Sequence, residues 1–238
     1  MGLGNTVKRV TEPELMLSPD QVRAYAGADF SSMEDQMISS LVMLAEKNNI
    51  PIGNDTLILD LGCGPGNISE KLSYCWPNAN VIGIDDSSEM LKIARQRNTY
   101  GEKKIVLKRL AYIKMNLFKM AKGHSQFMKS ADIVVSNSLL HHIHDPFIFF
   151  KTLINISKKG TLHFHRDLRR PSSPEEVLSI QQKHLSKAPS VLIRDFQASL
   201  HAAFTLDEVE DEISKAGING LNVVEVEDRY IDIEGTVF

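Results

Sequence analysis

From Thr56 onward the chain alternates short hydrophobic runs with amphipathic stretches. "TLILDLG" is dense in apolar residues and predicts a buried strand, whereas "NISEKLSYCW" repeats apolar positions at helical spacing and predicts a helix. "ANVIGID" and "SSEMLKIARQR" repeat that pair. "KKIVLKRL" then predicts a third strand, followed by a less regular connection rich in Lys and Met. "SADIVVSN" predicts a fourth strand, "DPFIFFKTLINIS" a helix and "GTLHFHRD" a fifth strand. A helix over "LDEVEDEISKAG" starts after Thr205, a good N-cap, and ends at Gly217. The alternating runs "LNVVEVED" and "RYIDIEG" are close enough to pair as an antiparallel ribbon. Strands that alternate with helices require a parallel sheet covered on both faces. The expected class is therefore α/β, with seven strands, mostly parallel, the last one antiparallel.

Two segments fall outside this rhythm. Residues 1–50 carry no strand signal, but "SPDQVRAYAGADFSS" and "MEDQMISSLVMLAEKNN" predict helices. They form a cap ahead of a main domain at 51–238. Residues 172–204 predict a second helical insertion, after the fifth strand, broken near Ala188 and Pro189.

Composition narrows the function classes. With 238 residues, 42% hydrophobic and 24% charged, the chain suits one α/β domain with appended elements. A net charge of -3 gives no overall attraction to nucleic acid, DNA or RNA, or to an anionic membrane. No apolar run has transmembrane length, and the amino terminus lacks a signal-peptide core. Cys63 and Cys75 follow no metal-ligand spacing and are too few for a disulfide framework, so a cytoplasmic setting is expected. "MGLGNT" fits the Gly2-to-Thr6 pattern of N-myristoylation, and a disordered start fits it as well.

Gly62, Gly64, Pro65 and Gly66 stand directly between the first predicted strand and the first predicted helix, where they weaken both. In open α/β sheets ligands bind beyond the carboxyl ends of the strands, and this first turn is the commonest cradle, with helix amides pointing at the ligand. A dinucleotide fingerprint would read G-x-G-x-x-G; here the third glycine comes one residue early and Asn67 follows. Asp85, at the tip of the second predicted strand, is placed to accept hydrogen bonds from vicinal ribose hydroxyls. Asp86 with Glu89 predicts a capping box for the next helix.

The order Asp60-x-Gly62-x-Gly64-x-Gly66, with "GIDDSSEML" after the second strand, resembles the first two motifs of class I S-adenosylmethionine-dependent methyltransferases. The resemblance implies a Rossmann-like methyltransferase fold, S-adenosyl-L-methionine as cofactor and S-adenosyl-L-homocysteine as product. It also implies cofactor contacts at Asp60, Gly62, Cys63, Gly64, Gly66, Asp85 and Asp86. Asp60 would orient the loop toward the methionine end, or simply terminate the strand. "SADIVVSNSLLHHIHDP" is similar to the fourth-strand motif of small-molecule methyltransferases and puts Asn137 at a tip beside the methyl-transfer site. The Pro-Pro-aromatic run of enzymes that methylate nucleic-acid amino groups is replaced by Ser-Leu-Leu. "EPELM", "YAGADF", "SNSLLHH", "DLRRP" and "DFQASLHAAFT" together are similar to a largely uncharacterised bacterial subgroup, from about Glu12 to the end. The chain departs from many relatives after the third strand, where "LAYIKMNLF" offers no acidic residue for the adenine amino group; Asn116 is the nearest polar candidate.

The acceptor side is read more coarsely. His141, His142, His144 and Asp145, with His163 and His165, could be drawn as a metal cluster, yet a helix-start signal at Asp145-Pro146 and a core pair at His163 and His165 account for them without a metal. His142 is the preferred proton acceptor. Asp167 ends the fifth strand beside the cleft, and Arg169 and Arg170 begin the insertion, where an arginine fork suits a carboxylate or phosphate and pairing with Glu175 and Glu176 suits it equally. Asp195 and Ser199 lie one helical turn apart, as a lid helix presenting two polar groups to one ligand would need. The leading expectation is methyl transfer to a small polar metabolite, with His142, Asp167, Arg170 and Asp195 on the catalytic side. The alternatives are an RNA acceptor, suggested by the basic run from Lys103 to Lys122, and a non-catalytic cofactor-binding or partner protein. Homodimerisation stays open.

Overall fold

The computed structural model describes residues 7–12, 18–100 and 107–237, without the side chains of 99 and 100. The "MGLGNT" segment lies outside the described residues, as does most of "EPELM". The elements follow the order α1 (Pro19–Ala26), α2 (Ser31–Lys47), β1 (Leu57–Leu61), α3 (Asn67–Cys75), β2 (Asn80–Asp85), α4 (Ser88–Tyr100), β3 (Leu110–Lys114), α5 (Leu117–Ala121) and β4 (Ala131–Asn137). After a 3-10 turn at Leu140–His142 come α6 (Pro146–Ile156), β5 (Ser157–Leu168), α7 (Pro174–Leu185), α8 (Ser190–Ala202), α9 (Leu206–Lys215), β6 (Leu221–Val226) and β7 (Tyr230–Val237).

The strands form one sheet in the order β3-β2-β1-β4-β5-β7-β6. Strands β1 to β5 run parallel, and β7 inserts antiparallel between β5 and β6. The expected ribbon is therefore real, but its second strand reaches the sheet first. The pairing aligns Leu168 with Tyr230 and Thr161 with Val237.

Each sheet face is covered by helices whose apolar stripe the sequence pattern anticipates. On one side Phe149, Phe150 and Leu153 of α6 pack with Val209 and Ile213 of α9. On the other, Met37 and Leu41 of α2 join Ile68 and Leu72 of α3 and Leu91 of α4. A third cluster, Leu168, Val177, Ile180, Leu200 and Tyr230, seats α7 and α8 beyond the end of β5. Thr205 caps α9 as expected, and Glu208 completes a capping box with it. No helix among the described residues is long and apolar enough to cross a membrane.

Two local expectations are corrected. The third strand is Leu110–Lys114: of the expected "KKIVLKRL", residues 107–109 form no strand and residues 103–106 lie outside the described residues. Register with β2 decides this: Val81 pairs with Leu110 and Asp85 with Lys114, so Leu110 and Tyr112 turn into the core while Ala111 turns out. The cap of α4 is Ser87, whose Oγ accepts the Met90 amide at 3.3 Å, rather than Asp86. Asp86 is thereby left on the wall of a cavity.

Candidate functional site

The turn from β1 to α3 folds over the end of the sheet. Gly62, Gly64 and Gly66 all have positive φ, in the left-handed region that favours glycine. Their surroundings differ. A Cβ on Gly62 would stand 2.6 Å from Leu139 Cδ1, and one on Gly66 would run into the Tyr112 hydroxyl, so these two glycines permit close packing. A Cβ on Gly64 would meet nothing within 4 Å. The Gly64 amide donates to Asp85 Oδ2 at 2.8 Å, and the Ser87 amide donates to Asp85 Oδ1 at 2.7 Å. Burial pushes the Asp85 carboxyl above its ordinary value, opposed by those amides.

Gly64 and Asp85 open onto a chamber of about 220 Å³, which Gly62, Asp86, Asn116 and Asn137 also line. Asn116 additionally caps α5, accepting the Lys119 amide at 3.0 Å. Asp60, Cys63 and Gly66 are not on this wall; they stand behind the turn. The Cys63 amide ties the turn to Ile84 O at 3.1 Å, and Asp60 is buried beneath α3, accepting from Ser69 Oγ at 2.5 Å. Burial raises the Asp60 carboxyl to about 7. The folded chain therefore holds a proton there that the unfolded chain has lost, and stability contributed by that proton is complete below pH 3.8 and disappears as pH rises to about 7. Comparing Asp60→Asn with wild type by urea unfolding from pH 5 to 8 is expected to show wild type losing more stability than the variant, the difference growing by about 1.4 kcal/mol per pH unit at most. Parallel curves would mean that Asp60 is ionised in the folded protein throughout.

A second chamber, of about 110 Å³, lies under α1, α2 and α8. Its wall includes Tyr25, Phe30, Glu34, Asp195, Phe196 and Tyr230. Asp195 accepts from Gln21 Nε2 at 2.9 Å, and Ser199, one turn further along α8 on the same wall, donates to Glu12 Oε1 at 3.0 Å. The pair expected on one helix face is thus brought to one cavity. The two chambers share Tyr25, Asn137, Ser138 and His142. His142 Nδ1 is 3.1 Å from Glu12 Oε1 at this junction.

Asp167 and Arg170 do not reach either chamber. Asp167 is buried and accepts the amides of Leu139 and Leu140 at 2.8 and 2.6 Å and His141 Nδ1 at 2.5 Å. It fastens the turn that carries His142, which makes it a positioning residue rather than a catalytic one. Arg170 donates to Ala203 O at 3.0 Å and to Glu208 Oε1 at 2.5 Å, joining the start of α9 to the end of α8. Its fork is already filled by this chain's own carboxylate. Arg169 reaches Asp228 O and Glu225 instead of Glu175 or Glu176.

The histidines separate into unlike groups. His163 and His165 form a buried chain, Ser157 Oγ to His163 Nε2 at 2.9 Å, His163 Nδ1 to His165 Nε2 at 3.1 Å, and His165 Nδ1 to Ser136 Oγ at 2.9 Å. Burial lowers His163 to about 3, and burial together with the neighbouring His163 holds His165 well below its ordinary value, so both are neutral core groups. Asp145 caps α6 through the Phe147 amide. His141 and His142 instead meet Glu12, the ligating atoms of the three lying within 4.8 Å of one another, an arrangement that ion pairing accounts for.

Glu12 was not singled out in the sequence, because nothing local links it to His142. A strap delivers it: Arg9 donates to Ala202 O at 2.7 Å and Ile143 O at 2.9 Å, and the Val10 amide to His201 O at 2.9 Å. Tyr25 and Glu34 were likewise missed; they sit in helices whose pattern signals only a buried stripe.

The strand order 3-2-1-4-5-7-6 with β7 alone antiparallel, the glycine turn after β1 and the carboxylate at the tip of β2 define a Rossmann-like methyltransferase fold, as the motifs implied. The chain belongs to the family of methyltransferase domains, whose model matches residues 52–213. It is similar to trans-aconitate 2-methyltransferase of Azoarcus sp., 49% identical over 47 residues, 20% of this chain and 19% of the relative. The trans-aconitate 2-methyltransferase of Afipia carboxidovorans is 35% identical over 96 residues, 40% of this chain and 32% of that one. The chain thus spans less than a third of the length of these curated relatives. Among solved structures, a SAM-dependent methyltransferase from Aquifex aeolicus superposes with a TM-score of 0.64 at 18% identity, covering 94% of this chain and all of its own.

Proposed function

We propose that the protein transfers a methyl group from S-adenosylmethionine to a small polar acceptor. The observation that carries this reading is the meeting of the two chambers at Tyr25, Asn137, Ser138 and His142, one lined by the glycine turn and Asp85 and the other by residues of the helices α1, α2 and α8. The residues present suit the cofactor: Gly64 leaves a cradle that any Cβ would enter, and Asp85 offers a carboxylate to ribose hydroxyls. Asn116 stands on the same wall, where an adenine contact is expected. When bound, S-adenosylmethionine supplies an electrophilic methyl on a sulfonium sulfur.

The chain's own contribution is placement and proton removal. Asp195 and Ser199 hold the acceptor from the lid helix. His142, backed by the Glu12 carboxylate, takes the acceptor's proton. Relatives named for trans-aconitate support a small-molecule acceptor, and the size of the second chamber agrees. Isothermal calorimetry with S-adenosylhomocysteine tests the reading: a dissociation constant of about 10 μM or tighter is expected. Absence of heat at millimolar ligand would sink it.

A further inference from the structure

We propose that the acceptor is a small cationic amine. This deepens the reading above and rests on it. Among the described residues of the second chamber's wall, Arg166 is the one arginine or lysine. Its Nε and Nη2 donate to Asp232 at 2.7 and 2.6 Å, so its charge and its fork are both already matched. Arg229, 4.6 Å from the Tyr230 ring centroid, is likewise paired, with Asp228 at 3.0 Å.

The carboxylates on the wall are matched less completely. Glu34 accepts from the neutral amide of Asn67 at 2.6 Å, with Lys71 at 3.7 Å, beyond hydrogen-bonding distance. Asp195 accepts from the neutral amide of Gln21 and, among the described residues, from the Nε and Nη2 of its chain neighbour Arg194 at 3.3 and 3.2 Å, a side chain 72% exposed to solvent whose charge is screened by water. At the junction His141 is matched to Asp167, and Glu12 stands against both His141 and His142. The wall thus carries two carboxylates, Glu34 and Asp195, against one arginine that is already matched to Asp232.

The rest of the wall is aromatic. Tyr25, Phe30, Phe196 and Tyr230 line it, with the Tyr25 and Phe30 rings 5.2 Å apart and tilted by 42°. Ring faces and carboxylates largely withdrawn from water, as those of Glu34 and Asp195 are, both attract an ammonium group. A polycarboxylate would set its charges against Glu34 and Asp195 and find no arginine fork to receive them. The name of the trans-aconitate relatives does not carry their acceptor here, because stretches of 47 and 96 residues are too short to contain a wall drawn from Gln21 to Tyr230.

The chemistry closes. An ammonium acceptor first gives one proton to the Glu12–His142 pair. The freed nitrogen lone pair then forms the C–N bond as the methyl–sulfur bond breaks, and sulfur keeps that electron pair as a thioether. The products are a methylammonium, S-adenosylhomocysteine and, after release from the pair, one proton.

The test needs no knowledge of the natural acceptor. With S-adenosylhomocysteine saturating, calorimetry compares 2-phenylethylammonium with its anionic isostere 3-phenylpropionate. The amine is expected to bind at about 1 mM or tighter and at least about tenfold more tightly than the acid. Asp195→Asn and Glu34→Gln are each expected to weaken the amine by about tenfold while leaving S-adenosylhomocysteine affinity within about threefold, which also reports that the variants fold. The proposal is overturned if the acid binds as tightly as the amine, if neither binds at 10 mM (about -2.7 kcal/mol), or if both variants keep wild-type amine affinity. Failure of S-adenosylhomocysteine itself to bind would instead overturn the methyl-transfer reading.

Discussion

Gly64→Val is expected to weaken S-adenosylhomocysteine binding by at least about 10²-fold, roughly 2.7 kcal/mol, while the protein stays folded. The backbone at Gly64 has φ of 52°, and the space a side chain would enter is the open chamber, not the core. A branched side chain there is strained by about 1–2 kcal/mol and also occupies the ligand's place. Two measurements separate these effects. Circular dichroism and urea unfolding report the strain, and calorimetry reports the lost volume. Asp85→Ala provides the second arm: it removes the acceptor of charge-assisted hydrogen bonds without filling the chamber, and about 2–4 kcal/mol of affinity should go with it. If both variants bind as wild type does, the ligand site is not at this turn.

Asp167→Ala is expected to lower folding stability by about 3–5 kcal/mol, measured by urea unfolding at neutral pH. The change strips a buried carboxylate from the amides of Leu139 and Leu140 and from the buried His141 imidazole, leaving all three without that acceptor. Burial alone would raise the Asp167 carboxyl and lower His141. The mutual charge outweighs it, so Asp167 lies below its ordinary value and His141 above. The sign of the pH dependence follows. The Asp167 contribution is present above its unfolded value of 3.8 and is lost as pH falls through the lower folded value. The His141 contribution is present below 6.5 and is lost as pH rises through its raised folded value. The gap between wild type and Asp167→Ala should therefore be widest between those limits. A variant as stable as wild type would show that the turn carrying His142 is held by its own backbone.

Arg170 shows why charge alone is a poor guide to a site. In sequence, "DLRRP" after a strand beside the cleft invites a substrate fork; in the fold the chain turns away, a bridge pairs Arg169 with Phe204, and the guanidinium meets Glu208. Glu208 is recognisable in sequence only as a capping-box residue, and it serves both partners. Asp86 and Ser87 make a similar point at short range. Either side chain can cap a helix, and the choice of Ser87 depends on where β2 stops and how Asp85 turns back to the Gly64 amide. The third strand was misplaced because "KKIVLKRL" and "LAYIK" are both plausible strands, and only pairing with β2 distinguishes them.

By itself the sequence determined what depends on local periodicity and on backbone constraint: the alternation of strands and helices, the glycine turn, Asp85 beside it, the cap of α9 and the face shared by Asp195 and Ser199. These are readable because a helix or a strand repeats its environment every few residues, and because a left-handed turn restricts residue choice at a single position. Only the tertiary structure decided which charges are already matched. Glu12 reaches His142, Asp167 is taken by His141, Arg166 by Asp232 and Arg170 by Glu208, each pair joining segments far apart in the chain. An ion pair needs its partner within about 4 Å, and no pattern in a one-dimensional chain encodes that proximity.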